Sequence, residues 1–111
     1  MKLLERIKMI RIYCGENDHW QQQPLYEAIV NEAHRHHIAG ATAFRGIEGY
    51  GASSRIHRRQ LLGLSGDLPI MVTIIDEPDK IEAFMPTLEE MVSEGLIAIS
   101  EVDAIRYSTA P

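Results

Sequence analysis

Three glycines and a run of cations meet in Arg45-Gly46-Ile47-Glu48-Gly49-Tyr50-Gly51-Ala52-Ser53-Ser54-Arg55-Ile56-His57-Arg58-Arg59. The chemistry such a stretch offers is anion binding. Glycine lets backbone N–H groups gather around a phosphate or a base edge, and guanidinium groups close on phosphate with forked hydrogen bonds. Residues 49–66 carry +3 from Arg55, Arg58 and Arg59 and hold no Asp or Glu, on a chain whose formal charge is −5. A basic, glycine-initiated loop on an acidic body is a local anion site or a contact surface for an acidic partner. The plainer alternative is a long hairpin with a solvated charged tip, in which Gly49 and Gly51 are a bulge and a turn.

Other reactive side chains are scattered. His34 and His37 share a helix face if residues 34–37 are helical, but no nearby Cys or paired Asp completes a ligand set, and no metal is expected. Near a helix C-terminus, histidines also interact favourably with the helix dipole. His57, flanked by arginines, is either a ligand contact or a solvated loop residue. Cys14 reads as a small buried hydrophobe, with no catalytic partner at recognisable spacing. Trp20 and Tyr26 could stack on a base or pack at a subunit interface. Asp76 and Glu77 could form a paired-acid site, but acids there more often cap a helix, as Asp76 or Asp79 would.

These residues must be positioned by a short list of elements. Alternation predicts a first strand over 6–14. Pro24 suits a helix first turn, and Leu25, Ala28, Ile29, Ala33 and Ile38 recur at helical spacing, giving a first helix over 22–38 stopped by Gly40. A second strand covers 41–48 and ends in the glycine-rich turn. Residues 68–76, Leu-Pro-Ile-Met-Val-Thr-Ile-Ile-Asp, are apolar and β-branched and read as a central strand. A second helix over 78–93 carries Ile81, Phe84, Met85, Leu88, Met91 and Val92 on one stripe, with Gly95 as its stop and a kink or break near 83–85 caused by Pro86. Residues 96–102 form a fourth strand, and 103–107 a short fifth strand or its continuation. This order is the split βαβ pattern of α+β ferredoxin-like domains, an antiparallel sheet with two helices on one face. Two helices cannot cover apolar side chains on both faces of the third strand, so a homo-oligomer is expected.

At 111 residues the chain bounds a single domain, residues 1–111, with a long loop at about 49–66. Its 45% hydrophobic content includes no apolar run of the roughly 18 residues that a membrane span needs. Residues 1–8 build no signal-peptide core. One cysteine cannot form an internal disulfide and fits a reducing cytoplasm. The acidic balance argues against nucleic-acid binding outside the loop.

Over roughly residues 5–107 the chain resembles the uncharacterised family of PII-like proteins and, more remotely, the PII nitrogen-regulatory proteins. The resemblance is carried by Pro24-Leu25-Tyr26-Glu27-Ala28-Ile29-Val30, by Gly46-Ile47-Glu48-Gly49-Tyr50-Gly51 with Ser53, Arg55, Ile56 and His57, and by Asp76-Glu77 with Ile81-Glu82. Gly49-Tyr50-Gly51 resembles the Gly-Phe-Gly from which the PII T-loop springs, and Ile105-Arg106 resembles the basic Ile-Arg segment near that family's end. The resemblance implies a homotrimer with adenine-nucleotide sites in clefts between subunits and loops that present the bound state to a target protein, such as a membrane transporter or channel.

On that reading the nucleotide meets Arg45, Gly46, Glu48, Gly49, Tyr50 and Gly51 at the loop's base, with Arg55, His57 and Arg106. Arg58, Arg59, Leu61, Leu62 and Leu64 then face the target. Two departures bear on the ligand. The connection corresponding to the lysine-containing PII B-loop is here Ser93-Glu94-Gly95-Leu96, which favours AMP or ADP over ATP. Tyr50 lies at the loop's base and not its tip, so regulation by tyrosine modification is not implied. No catalytic residue is assigned. The alternative function is a small cytoplasmic enzyme acting on a phosphorylated or carboxylated substrate in the same cleft, with His57 as general acid or base.

Overall fold

The computed structural model describes residues 1–50, the backbone of 57–58, and 68–109. The elements run β1 (Lys2–Gly15), β2 (His19–Trp20), β3 (Gln23–Pro24), α1 (Leu25–Arg35), β4 (Gly40–Arg45), β5 (Glu48–Gly49), β6 (His57–Arg58), β7 (Pro69–Asp76), α2 (Pro78–Met91) and β8 (Leu96–Tyr107). A four-stranded sheet has the order β4-β7-β1-β8 with every neighbouring pair antiparallel. This is the ferredoxin-like α+β arrangement expected from the sequence.

The core follows from strand alternation. Ile10 and Ile12 of β1, and Ile70, Val72 and Ile74 of β7, point to one face. There they meet Leu25, Ala28, Ile29 and Ala33 of α1 and Ile81, Phe84, Leu88 and Met91 of α2. Among the described residues no helix covers the opposite face. Across it Phe44 pairs with Met71, Met71 with Tyr13 and Tyr13 with Leu96, a row of large side chains spanning all four strands. In the isolated chain Phe44 is 49% exposed, Tyr13 42% and Leu96 62%.

Several boundaries differ from the sequence reading. β1 starts at Lys2 because β8 continues unbroken to Tyr107 and pairs with it from Lys2↔Tyr107 onward; residues 103–107 are a continuation, not a fifth strand. This ribbon is fastened by Arg6 to Asp103 at 2.9 Å and Arg106 to Glu5 at 2.7 Å. Helix α1 starts only at Leu25 because a tight β2/β3 hairpin precedes it, with Gln21 and Gln22 at positive φ. Its stop is not Gly40, which opens β4. His37 takes the left-handed conformation (φ 59°), with His37 N–H donating to the His34 carbonyl and Ile38 N–H to the Ala33 carbonyl. That pair of bonds is a Schellman ending with histidine in the usual glycine place.

Helix α2 runs through Pro86 without the expected break. Pro86 and Glu82 are both exposed, so the hydrogen bond that proline's missing N–H costs falls on the outer side of the helix. The helix stops at Met91, well before Gly95. Its N-cap is Glu77, with no side-chain capping bond, so neither Asp76 nor Asp79 caps it in the expected sense. The strand predicted over 41–48 divides into β4 and, after Gly46-Ile47, the short β5 paired with β6.

Candidate functional site

The loop's base is built where β4 ends. Arg45 lies opposite Ile70, which in turn lies opposite Cys14, so the ends of β4 and β1 and the start of β7 come together. Gly46 N–H donates to the Pro69 carbonyl at 2.7 Å, fixing the exit from β4. Glycine at 46 and 49 would allow positive φ. Among the described glycines only Gly95 has it, and the need at Gly46 is one of space. A Cβ there would stand 2.7 Å from Pro69 Cγ, and one at Gly49 3.2 Å away. Gly46→Ala is therefore expected to cost about 1–2 kcal/mol through displacement of the Pro69 ring, read as a lower denaturant midpoint with an unchanged slope.

Beyond Gly46 the chain forms the β5/β6 ladder, Glu48 opposite Arg58 and Gly49 opposite His57. Tyr50 and Ile47 are exposed at 70% and 83%. Gly51, Arg55, Arg59, Leu61, Leu62 and Leu64 lie outside the described residues, and only the backbone of His57 and Arg58 is described.

The Arg45 side chain has partners that the sequence reading missed. Its Nε donates to Glu16 Oε2 at 2.6 Å, and its Nη2 lies 3.5 Å from the Tyr26 hydroxyl. Glu16 follows β1 directly, and its backbone N–H donates to the Leu68 carbonyl at 2.8 Å. Tyr26 also lines a groove of about 450 Å³ with Glu27, Val30, Asn31 and Ala43, between α1 and the edge strand β4. A cation, a phenol and a groove that mixes apolar Val30 and Ala43 with Glu27 and Asn31 thus adjoin one another beside the glycine turn. That combination suits an anionic group attached to a flat apolar body.

Arg106 does not belong to this cluster within one chain. It lies opposite Leu3, at the far end of β1 from Cys14, and the separation along the strand is about 36 Å at about 3.3 Å per residue. The hydrogen bond and charge of Glu5 hold its guanidinium above the ordinary arginine range against a smaller desolvation effect, with lesser contributions from Asp76 and Glu77. Any meeting of Arg106 with Arg45 requires a second copy of the chain. The Ser93–Leu96 connection, by contrast, is at the Arg45 end of the sheet, since Leu96 pairs with Tyr13.

The remaining candidates have structural surroundings. Cys14, Trp20 and Tyr26 pack against the core. His36 sits edge-on to Phe84 with ring centroids 5.2 Å apart and lies 3.5 Å from Glu32. No group of three or more His, Cys, Asp or Glu able to hold a metal comes together among the described residues. Asp76 is buried, accepting N–H bonds from Ala39 and Glu77. No helix among the described residues is long and apolar enough to cross a membrane.

Comparison with solved structures places this fold among PII-like proteins. CPII from Thiomonas intermedia K12, a nitrogen regulatory PII-like protein in a structure bound to ADP, AMP and bicarbonate, superposes with a TM-score of 0.58 at 16% identity, over 92% of this chain and 91% of that one. A putative PII-like signalling protein from Thermus thermophilus gives a TM-score of 0.59 at 15% identity, over 93% and 91%. In sequence, a UPF0166 protein of Aquifex aeolicus (strain VF5) is 37% identical over 100 residues, 88% of this chain and 92% of the relative. The family model DUF190, described as "Uncharacterized ACR, COG1993", matches residues 7–104, and the chain belongs to that uncharacterised family, whose fold here is PII-like.

Proposed function

We infer that the protein is a non-enzymatic PII-like regulator, acting in the cytoplasm, that binds an adenine nucleotide at the base of the 46–57 loop and uses residues 49–66 to contact a target protein. The observation that carries this reading is the Arg45–Tyr26 corner beside the Gly46 turn, on a fold that in CPII is bound to ADP and AMP. Arg45 would hold a phosphate, and Tyr26 with the neighbouring groove would receive the apolar part of the ligand. Glu48, Gly49, Tyr50, Gly51, Arg55 and His57 extend the same site along the loop. AMP and ADP are favoured over ATP because the Ser93–Leu96 connection offers Glu94 and no cation.

The assembly proposed is a homotrimer. The apolar row Phe44, Met71, Tyr13 and Leu96 on the helix-free sheet face supports burial against other copies. In such an assembly Arg106 of one subunit would reach the Arg45 site of its neighbour, and Arg58, Arg59, Leu61, Leu62 and Leu64 would remain for the target, such as a transporter or channel.

Calorimetry of the intact oligomer with AMP, ADP, ATP and cyclic nucleotides tests the reading. AMP or ADP is expected to bind with one site per subunit, and absence of binding at millimolar nucleotide would overturn it. Arg45→Ala is expected to weaken AMP by about tenfold, the loss of one charge-assisted contact, without changing the oligomer's sedimentation.

A further inference from the structure

Arg45 stands beside the Gly46 turn already engaged. Its Nε–H bond to Glu16 Oε2 is 2.6 Å long, and the Glu16 side chain is only 18% exposed against 42% for Arg45. The acid is held from a fixed piece of chain. Glu16 N–H is bonded to the Leu68 carbonyl, and the adjoining turn is closed by Asp18 N–H to the Gly15 carbonyl and Gly15 N–H to Asp18 Oδ2. The partner is therefore built into the end of β1.

This pairing leaves Arg45 its hydrogen bonds but cancels its charge. Among the described residues Glu16 takes the donor on Nε and Tyr26 one on Nη2, and the Nη1 N–H groups are open to an incoming oxygen. A ligand with one phosphate can use them. Each further phosphate adds negative charge that meets a neutral ion pair, and the connection at the same end of the sheet offers Glu94. We propose that Glu16 is a specificity-determining residue, which limits the anionic charge that the Arg45 site accepts and so selects nucleoside monophosphates or cyclic nucleotides over triphosphates. The nucleotide identity rests on the reading above. The charge rule rests on the Arg45–Glu16 pair, with Glu94 at the same end of the sheet, and not on the nucleotide.

Glu16→Gln removes the charge while preserving size, an oxygen to accept the Arg45 Nε–H bond, and the backbone bond to Leu68. Binding of adenosine, AMP, ATP, inorganic phosphate and tripolyphosphate to the oligomer is measured by calorimetry at low salt, for wild type, Glu16→Gln and Glu16→Asp. The gain in the Gln variant is expected to grow with ligand charge: none for adenosine, roughly fivefold for AMP and at least roughly tenfold for ATP and tripolyphosphate. It should shrink at high salt, and the Asp variant, which keeps the charge, should retain the wild-type ranking. Equal changes for adenosine and ATP would show a merely structural role and overturn the proposal, as would unchanged anion affinities. If Glu16→Gln tightens tripolyphosphate while no variant binds adenosine or AMP, the charge rule stands and the nucleotide reading falls. If no variant binds any anion, both fall.

Discussion

Gly95→Ala is expected to lower the stability of the fold by about 4 kcal/mol, combining the strain of a positive φ with overpacking. Gly95 has φ +141°, and a Cβ built on it would lie 2.6 Å from the carbonyl oxygen of Tyr13. Both obstacles are backbone, so no side-chain rotation relieves them. Tyr13 belongs to β1, the strand bonded on both sides, to β7 and β8, and moving it disturbs two ladders. A loss of this size shifts the thermal midpoint by roughly 15 °C in a domain of about this length. Gly40→Ala is the control. There a Cβ would approach only Ile75 side-chain atoms, the nearest at 3.2 Å, and no positive φ is involved. A midpoint for Gly95→Ala no lower than for Gly40→Ala would refute the steric account of this crossing.

The contrast between these glycines bears on what could be read from the sequence. Gly95 was legible as a glycine near a helix end, but the helix stops at Met91, and the demand comes from Tyr13, some eighty residues earlier in the chain. Gly46 was legible as part of a turn, whereas the object pressing on it is the ring of Pro69. Local patterns report φ and period; they carry no record of what a distant segment brings alongside. The same limit hid Glu16 from Arg45, separated by 29 residues with no repeat or motif linking them. Likewise Lys2 to Glu5 mixes charge with leucine and has no strand signature of its own; it is extended because β8 hydrogen-bonds to it.

Where periodicity and burial coincide, the sequence was enough. β7 alternates half-buried and buried side chains without interruption from Pro69 to Asp76, and the stripes of α1 and α2 contain the buried residues expected of them, Leu25, Ala28, Ile29 and Ala33 on one and Ile81, Phe84, Leu88 and Met91 on the other. The fold follows from those three elements and the order of their neighbours. Of the candidate site, a glycine-rich turn following a strand was legible, but the strand reads through to residue 48, whereas it ends at Arg45 before Gly46. Whether its cation was free was not legible, because charge pairing is a property of the folded end of the sheet.

Asp76 gives the second large effect. The alternation that buries Ile70, Val72 and Ile74 also puts Asp76 on the helix side, where it is 4% exposed. A carboxylate there requires donors. Its Oδ2 accepts the Ala39 N–H at 3.0 Å and its Oδ1 the Glu77 N–H at 2.7 Å. One side chain thereby ties the approach to β4 to the start of α2, whose N-cap Glu77 makes no side-chain capping bond of its own. Asp76→Ala removes two charge-assisted acceptors together and is expected to cost about 3 kcal/mol. Asp76→Asn keeps one oxygen but turns an NH₂ toward a backbone N–H, so about half that loss is expected. Amide exchange locates the effect: protection at Ala39 and Glu77 should fall in both variants by more than at the centre of β7. If instead Asp76 acted as half of a paired-acid site with Glu77, substitution would alter ligand binding or turnover and leave stability nearly unchanged. A drop in stability for Asp76→Ala, an intermediate value for Asp76→Asn and no comparable loss for the exposed Glu77→Gln would assign the acid to the architecture, joining the end of β7 to the approach to β4 and the start of α2.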